Sequence, residues 1–506
     1  VNGVQDDAVA PQQVEKKSAQ GAALTTVGAL LGRAAGLLAT LWITHFVHKT
    51  EYGQANLALI VASVVQVATL FAPQQALLTR KDSFSQASVW VEQFVLTVGV
   101  LVFGGLFFVG NRLLDVLSAP EAWPMLRLYC VAVFCERLAL CPALRLRYEL
   151  RFADLTRVDA IGDAAYVIVA VSSATWGVGA VCLPLGALSR QLARLLWLRF
   201  ALKLPVFRYK ERLPRAARQR LRGELWPMMW PIYLASLVEL STLYLDNVFV
   251  GRVYSLSAQG LYAVGYTLLM TPSETVAMYA SSALVRALSA TNPQTRHTSF
   301  LLGTKYLLLV LLPLGCCAAW LAPLFESACL PEKWQGVAPV LTGFALGGVS
   351  LGLHRLSFSQ LSALHKSRSA AALYGVQLVV FVGGLVGVSV LDTARLHPES
   401  VAWVSSLSLF FAAAFGTGMV IALEEISVWR FLGACVPAIR TSSVVCAALF
   451  CADALCAWLH RGPSWSRFLL EAACAVLAYF LYLVLLERRV FWEVRNFVAK
   501  DPRQVE

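Results

Sequence analysis

Stretches of roughly 20 apolar residues recur from residue 22 to residue 487, broken by short segments that hold most of the charges. Each stretch is long enough to cross a hydrocarbon core of about 30 Å as a helix. The pattern predicts about fourteen transmembrane helices, over 22–47, 53–78, 88–111, 123–143, 157–176, 178–199, 226–250, 258–284, 299–322, 336–360, 370–391, 400–422, 435–458 and 466–487. The expected fold class is an all-α integral membrane protein.

Composition points the same way. The chain has 506 residues, 58% hydrophobic and 14% charged, with a mean hydropathy of +0.64, which excludes a water-soluble fold. The first twenty residues, with Asp6, Asp7, Lys16 and Lys17, lack the short apolar core and cleavage site of a secretory signal and are expected to be a disordered tail. Cysteines such as Cys130, Cys135, Cys446 and Cys474 lie inside apolar stretches, where a thiol behaves as a small hydrophobe. No phosphate-binding loop, nucleotide fingerprint or zinc-type histidine motif is present. His45, His48, His397 and His460 are too scattered for a metal site. The chain is therefore expected to be no enzyme and to use no cofactor or metal.

Charge placement sets the orientation. With a cytoplasmic N-terminus, about 28 Lys and Arg fall in cytoplasmic segments, about 6 in external ones and about 8 within spans, a strong positive-inside bias. Both termini are expected inside. The same bias accounts for the net charge of +12, so nucleic acid is not an expected partner. Tryptophans near span ends, Trp226, Trp230, Trp334, Trp403 and Trp465, read as interfacial belts.

An internal repeat divides the chain. Pro120-Glu121-Ala122-Trp123 and Pro331-Glu332-Lys333-Trp334 stand 211 residues apart, and the spans beginning near 88 and 299 keep the same step. Phe46-Val47 with Tyr52-Gly53-Gln54-Ala55 is echoed by Phe249-Val250 with Gly260-Leu261-Tyr262-Ala263. A shared offset points to duplication. The expected organisation is a cytoplasmic tail (1–21), a six-helix half (22–199), a basic cytoplasmic linker (200–225), a second six-helix half (226–422), two additional helices (435–487) and a cytoplasmic tail (488–506). The basic connection from Arg199 to Arg222 would be a partly helical surface element lying against anionic headgroups.

Ionisable residues inside spans are costly and mark candidate function. Arg33 sits among small residues in span one; Glu136 and Arg137 lie deep in span four; His354 and Arg355 lie deep in span ten. Arg355 has no acidic residue within a helical turn, which marks it as an unpaired cation. Arg190 and Arg194 share a face of span six, where they either snorkel to headgroups or line an inward-open cavity. Asp159 and Asp163, near the inner end of span five, read as a solvated or salt-bridged helix end. Glu239 and Asp246 lie seven residues apart on one face of span seven. The candidate substrate-binding set is thus Arg33, Arg355, His354, Arg137, Arg190 and Arg194, and the candidate ion-coupling set is Glu239, Asp246 and Glu136.

Leu144-Arg145-Leu146-Arg147-Tyr148-Glu149-Leu150-Arg151-Phe152, then Gly177-Val178-Gly179-Ala180-Val181, resembles the cytoplasmic loop and following hairpin of the polysaccharide transport flippases. So does Leu245-Asp246-Asn247-Val248-Phe249-Val250-Gly251-Arg252, leading to Gly260-Leu261-Tyr262, Gly265-Tyr266 and Pro272. That family belongs with the lipid II flippases and multidrug extruders. The resemblance implies a V-shaped bundle in a bacterial cytoplasmic membrane. It implies export, by alternating access, of undecaprenyl-diphosphate-linked oligosaccharide repeat units for exopolysaccharide, capsule or O-antigen. The partners would be that glycan, membrane lipids, and a polymerase and glycosyltransferases of the same pathway. Intramembrane arginines suit a diphosphate, which they can hold by paired hydrogen bonds.

Three rival readings share parts of the pattern. A cation-coupled multidrug extruder would use Glu239 or Asp246 as its coupling carboxylate, but the intramembrane arginines would repel cationic drugs. A membrane glycan polymerase or ligase would want a sizeable external loop with clustered Arg and His. A non-transporting scaffold on the same fold is the third.

Overall fold

The computed structural model describes residues 11–78, 84–149, 151–205, 213–288, 293–364, 366–391, 397–459, 462 and 464–485. Among them the chain forms fourteen α-helices. The first six are α1 (Pro11–Phe46), α2 (Lys49–Leu78), α3 (Phe84–Val116), α4 (Trp123–Tyr148), α5 (Phe152–Thr175) and α6 (Cys182–Leu196). The next six are α7 (Arg215–Phe249), α8 (Leu256–Leu288), α9 (Pro293–Cys329), α10 (Val337–Ala363), α11 (Ser367–Leu391) and α12 (Pro398–Leu423). The last two are α13 (Val428–Trp458) and α14 (Trp465–Leu485). Helices are what an apolar solvent demands, since each backbone N–H must find its partner within the segment. Nine of them, α1, α3, α5 and α9 to α14, are long and apolar enough to cross a membrane by length and composition. α4, with Glu136 and Arg137 at its middle, and α6, with fifteen residues, fall outside that set. The protein is an all-α, multi-pass membrane protein.

Short links define the turns. Between α5 and α6 the chain reverses through Gly177 and Gly179, both with positive φ (77° and 66°), a conformation that costs glycine little and other residues more. The repeated Pro-Glu-x-Trp motifs both fold into a single 3-10 turn, Pro120–Ala122 before α4 and Glu332–Trp334 before α10.

Helix packing repeats with a step of six. α1 packs on α5, α2 on α3 and α4, α3 on α4, and α6 on α4 and α5. Correspondingly, α7 packs on α11, α8 on α9 and α10, α9 on α10, and α12 on α10 and α11. The two sets meet where α2 lies against α7 and α8, and α1 against α8. α13 and α14 pack on each other and on α9. Arg467 of α14 ties this pair together by bridging Asp453 of α13 and the buried Glu471 (2.8 Å). At the end where α1 begins, Glu424 just after α12 is buried yet accepts from Arg296 (Nε 3.1 Å, Nη2 3.3 Å), from Gln360 (3.3 Å), and pairs with His297 (2.8 Å). A carboxylate buried there is tolerable because several donors converge on it.

Two sequence expectations need correction. Residues 11–21 are not a disordered tail but the first turns of α1, opened by Pro11 at a position that suits proline and continued by the good helix formers Gln12, Gln13, Glu15 and Lys17. Residues 215–225 of the linker, expected to be partly helical, are the first turns of α7, while 206–212, the tails 1–10 and 488–506, and His460 lie outside the described residues. Trp334 is no interfacial anchor. It is fully buried, donates Nε1 to the carbonyl of Thr44 at 2.7 Å and meets Tyr52 edge-on at 5.6 Å.

Candidate functional site

A cavity of about 760 Å³ opens between α1, α5 and α6 on one wall and α8 on the other. It reaches from Arg147 and Phe152, at the turn between α4 and α5, inward past Arg33 to Thr40. There it joins a second chamber of about 490 Å³, with Thr40, Tyr166, Arg190 and Thr267 lining both. The inner chamber ends among Tyr52, Asn56 and Leu183, at the side of the molecule opposite the start of α1.

That far side is closed by contacts between the two packing sets. Gly53 of α2 and Gly260 of α8 let the helices cross with almost no gap; a Cβ on either would lie about 2.0 Å or 1.9 Å from a carbonyl oxygen of the other helix. Asn56 donates to Asn247 at 3.2 Å, and Lys333 donates to the carbonyl of His45 at 2.9 Å. Within the first set, Gln54 donates to Glu121 of the first Pro-Glu-x-Trp turn at 2.6 Å.

Four arginines reach the two chambers, in two states. Arg190 meets Asp163 at 2.5 Å and Arg194 meets Asp159 at 2.8 Å, two ion pairs that join α6 to α5. Arg33 and Arg147 make no ion pair among the described residues, and both are exposed to the outer cavity. The cations free to meet an anion thus stand at the outer cavity, and those deeper in are matched. Glu136 faces the inner chamber, where its Oε2 accepts from Gln66 at 2.6 Å.

The other expected site residues lie elsewhere. Arg137, next to Glu136 but about 100° round the helix, turns away from both chambers. It is buried against Gly99 with its guanidinium 4.5 Å from the Phe103 ring centroid. Arg355 is not an unpaired cation, because Glu274 of α8 meets it at 3.2 Å. It lines a small pocket of about 30 Å³ together with His354 and Asp246. Among the described residues Arg33 and Arg355 line different cavities. His354 is buried there edge-on to Tyr374 at 5.1 Å. Asp246 is buried in a network: its Oδ2 accepts from Tyr262 (2.7 Å) and Ser405 (3.4 Å), and its Oδ1 from Asn247 (2.9 Å). The side chain of Glu239 lies outside the described residues. Sequence reading missed Arg147, Tyr166, Gln66 and Asn56. Only Arg147 carried a signal, its place in the flippase-like loop.

Helix order, packing and this interior cavity define a membrane transporter fold. A lipid II flippase, MurJ, in an inward closed conformation superposes with a TM-score of 0.69 at 12% identity, covering 92% of this chain and 99% of that one. An inward-facing multidrug resistance MATE family transporter of the MOP superfamily gives 0.62 at 14% identity over 78% of this chain and 96% of its own. A MOP superfamily transporter from Pyrococcus furiosus, described by the reversed polarity of its binding pocket, gives 0.54 at 14% identity over 81% and 96%. Identities this low establish the fold alone. No curated protein sequence matches the chain. The profile of the family described as polysaccharide biosynthesis protein matches residues 43–339, and the chain belongs to that family.

Proposed function

We propose that this protein is a flippase that carries undecaprenyl-diphosphate-linked oligosaccharide across a bacterial cytoplasmic membrane, and that it is not an enzyme. The observation that carries this reading is the cavity with Arg33 and Arg147 toward its outer part, neither in an ion pair among the described residues. A diphosphate needs fixed cations inside the membrane, and guanidinium groups offer paired donors that a lysine lacks. Membership of a polysaccharide biosynthesis family supports a glycan cargo, and the likeness to a lipid II flippase supports a lipid-linked one. Intramembrane arginines disfavour the extruder reading, since they would repel a cationic drug.

In this reading the halves are 22–199 and 226–422, the extra helices occupy 435–487, and the termini are cytoplasmic, so the outer cavity faces the cytoplasm. The lipid tail stays in the bilayer while the headgroup enters past Arg147 and Arg33. Rocking of the halves about α2 and α8 then opens the far side. Asp246, buried between α7, α8 and α12, serves as the ion-coupling carboxylate. The test is rescue of a glycan-export defect at matched membrane abundance. Arg33→Ala and Arg147→Ala should lose export, and the Lys variants should keep part of it. Full export in both Ala variants would refute the reading.

A further inference from the structure

The two chambers differ in chemistry. The outer cavity holds Arg33 and Arg147, which make no ion pair among the described residues. In the inner chamber both arginines are matched by aspartates of α5, Arg190 by Asp163 and Arg194 by Asp159. The remaining lining is rich in neutral polar groups and phenols: Tyr52, Asn56, Gln66, Tyr129 and Gln191. Such a wall offers donors and acceptors to hydroxyls and flat apolar ring faces to sugar C–H groups, while the charge of each arginine already faces an aspartate. Its volume of about 490 Å³ lies within the range of about 300–1,000 Å³ usual for ligand clefts.

One charge in this chamber is left over. Among the described residues Glu136 makes no ion pair; Gln66 occupies its Oε2, and no hydrogen bond reaches its second oxygen. Arg190 and Arg194 stand near it, but each already faces an aspartate of α5, so an anion brought beside Glu136 would meet a like charge in a partly desolvated space. A hydroxyl or an acetamido N–H would instead donate to it.

We propose that the inner chamber is the subsite for uncharged sugar residues of the cargo, with Glu136 as the residue that selects against a sugar bearing a carboxylate. This rests on the flippase reading above. It orders the cargo along the cavity, with the diphosphate in the outer part at Arg33 and Arg147 and the glycan deepest, against the far-side closure. Hydroxyls then replace water on Gln191 and Asn56, and the ring faces of Tyr52 and Tyr129 cover the sugar.

The full chain in detergent or nanodiscs would be tested by native mass spectrometry with three probes: undecaprenyl diphosphate, the same lipid bearing one N-acetylhexosamine, and the same lipid bearing one uronic acid. The neutral sugar should tighten binding over the bare lipid by at least about fivefold, the equivalent of one net hydrogen bond. The uronate should give no gain in wild type and a gain in Glu136→Gln. Gln191→Leu and Tyr129→Leu should each shrink the gain from the neutral sugar while bare-lipid affinity holds, which also reports that these variants are folded. Equal affinity for all three probes in wild type, a preference for the uronate, or loss of bare-lipid affinity in both inner-chamber variants would overturn the subsite. Binding of none of the three would instead overturn the flippase reading on which it rests.

Discussion

Gly53 of α2 and Gly260 of α8 occupy equivalent places in the two repeats and hold each other's helix by the same contact. A Cβ on Gly53 would fall 2.0 Å from the carbonyl oxygen of Leu256, four residues before Gly260; a Cβ on Gly260 would fall 1.9 Å from that of Lys49, four residues before Gly53. The far-side closure is thus a two-fold crossing of bare backbones. Even alanine at either place forces the helices apart, an overpacking cost of about 1–3 kcal/mol. Such a cost shifts a two-state balance by about 5–150-fold. Gly53→Ala and Gly260→Ala should therefore favour the state open on the far side. Labelling of Leu59→Cys, in the inner chamber, by an impermeant thiol reagent added from that side should speed up in both. Unchanged labelling would mean that the crossing is not the gate.

Arg355 behaves differently from Arg33 because Glu274 holds it at 3.2 Å in a separate small pocket. Removing it should leave undecaprenyl diphosphate binding within about twofold, as for other substitutions away from a site. Arg33→Ala should weaken the same binding by about 10–100-fold, the worth of one charged hydrogen bond or so. A swap, Arg355→Glu with Glu274→Arg, should recover membrane abundance lost in either single variant. Equal losses of lipid binding at Arg33 and Arg355 would return Arg355 to the headgroup site.

The spans were legible because lipid imposes long uninterrupted apolar runs on the chain, and the repeat because both copies of Pro-Glu-x-Trp still form the same turn. Arg33 was legible as a charge where charge is costly. Arg147 was masked by its position at a span end, where the positive-inside bias makes any arginine unremarkable. Arg355 misled for the opposite reason: its partner Glu274 sits on another helix, 81 positions away in the chain, and helical spacing looks only one turn up or down. Trp334 misled because a span-end tryptophan at the interface and one buried under a neighbouring half have the same sequence context. The lining of the inner chamber carries no motif, since tyrosine and amide side chains become a surface only when α2, α4 and α6 converge.

Orientation can be tested without any cargo. Reporter fusions at Gly110 and Glu399 should report the external side and a fusion at Glu506 the cytoplasm, as the Lys and Arg bias requires. An external signal at Glu506 would reverse the direction in which the outer cavity faces.

Asp163 competes with the cargo for Arg190. Its Oδ1 meets Arg190 Nη2 at 2.5 Å, and its other oxygen fills the notch left by Gly32, where a Cβ would fall 2.0 Å from Oδ2. α1, α5 and α6 are thereby joined around one carboxylate at the junction of the two chambers. A diphosphate moving inward from Arg33 must share Arg190 with Asp163 or displace it. Asp163→Asn keeps the shape and removes the charge, so Arg190 becomes available to phosphate. Undecaprenyl diphosphate should then bind about tenfold more tightly, within the range of one charge-assisted hydrogen bond. Transport in proteoliposomes should slow, because Asp163 no longer reclaims Arg190 when the headgroup leaves, and binding the bound state more tightly does not speed release. Paired binding and flux measurements on Asp163→Asn and Asp159→Asn would separate this from a packing role. Weaker binding in Asp163→Asn would show that the aspartate positions Arg190 for the cargo and does not compete with it.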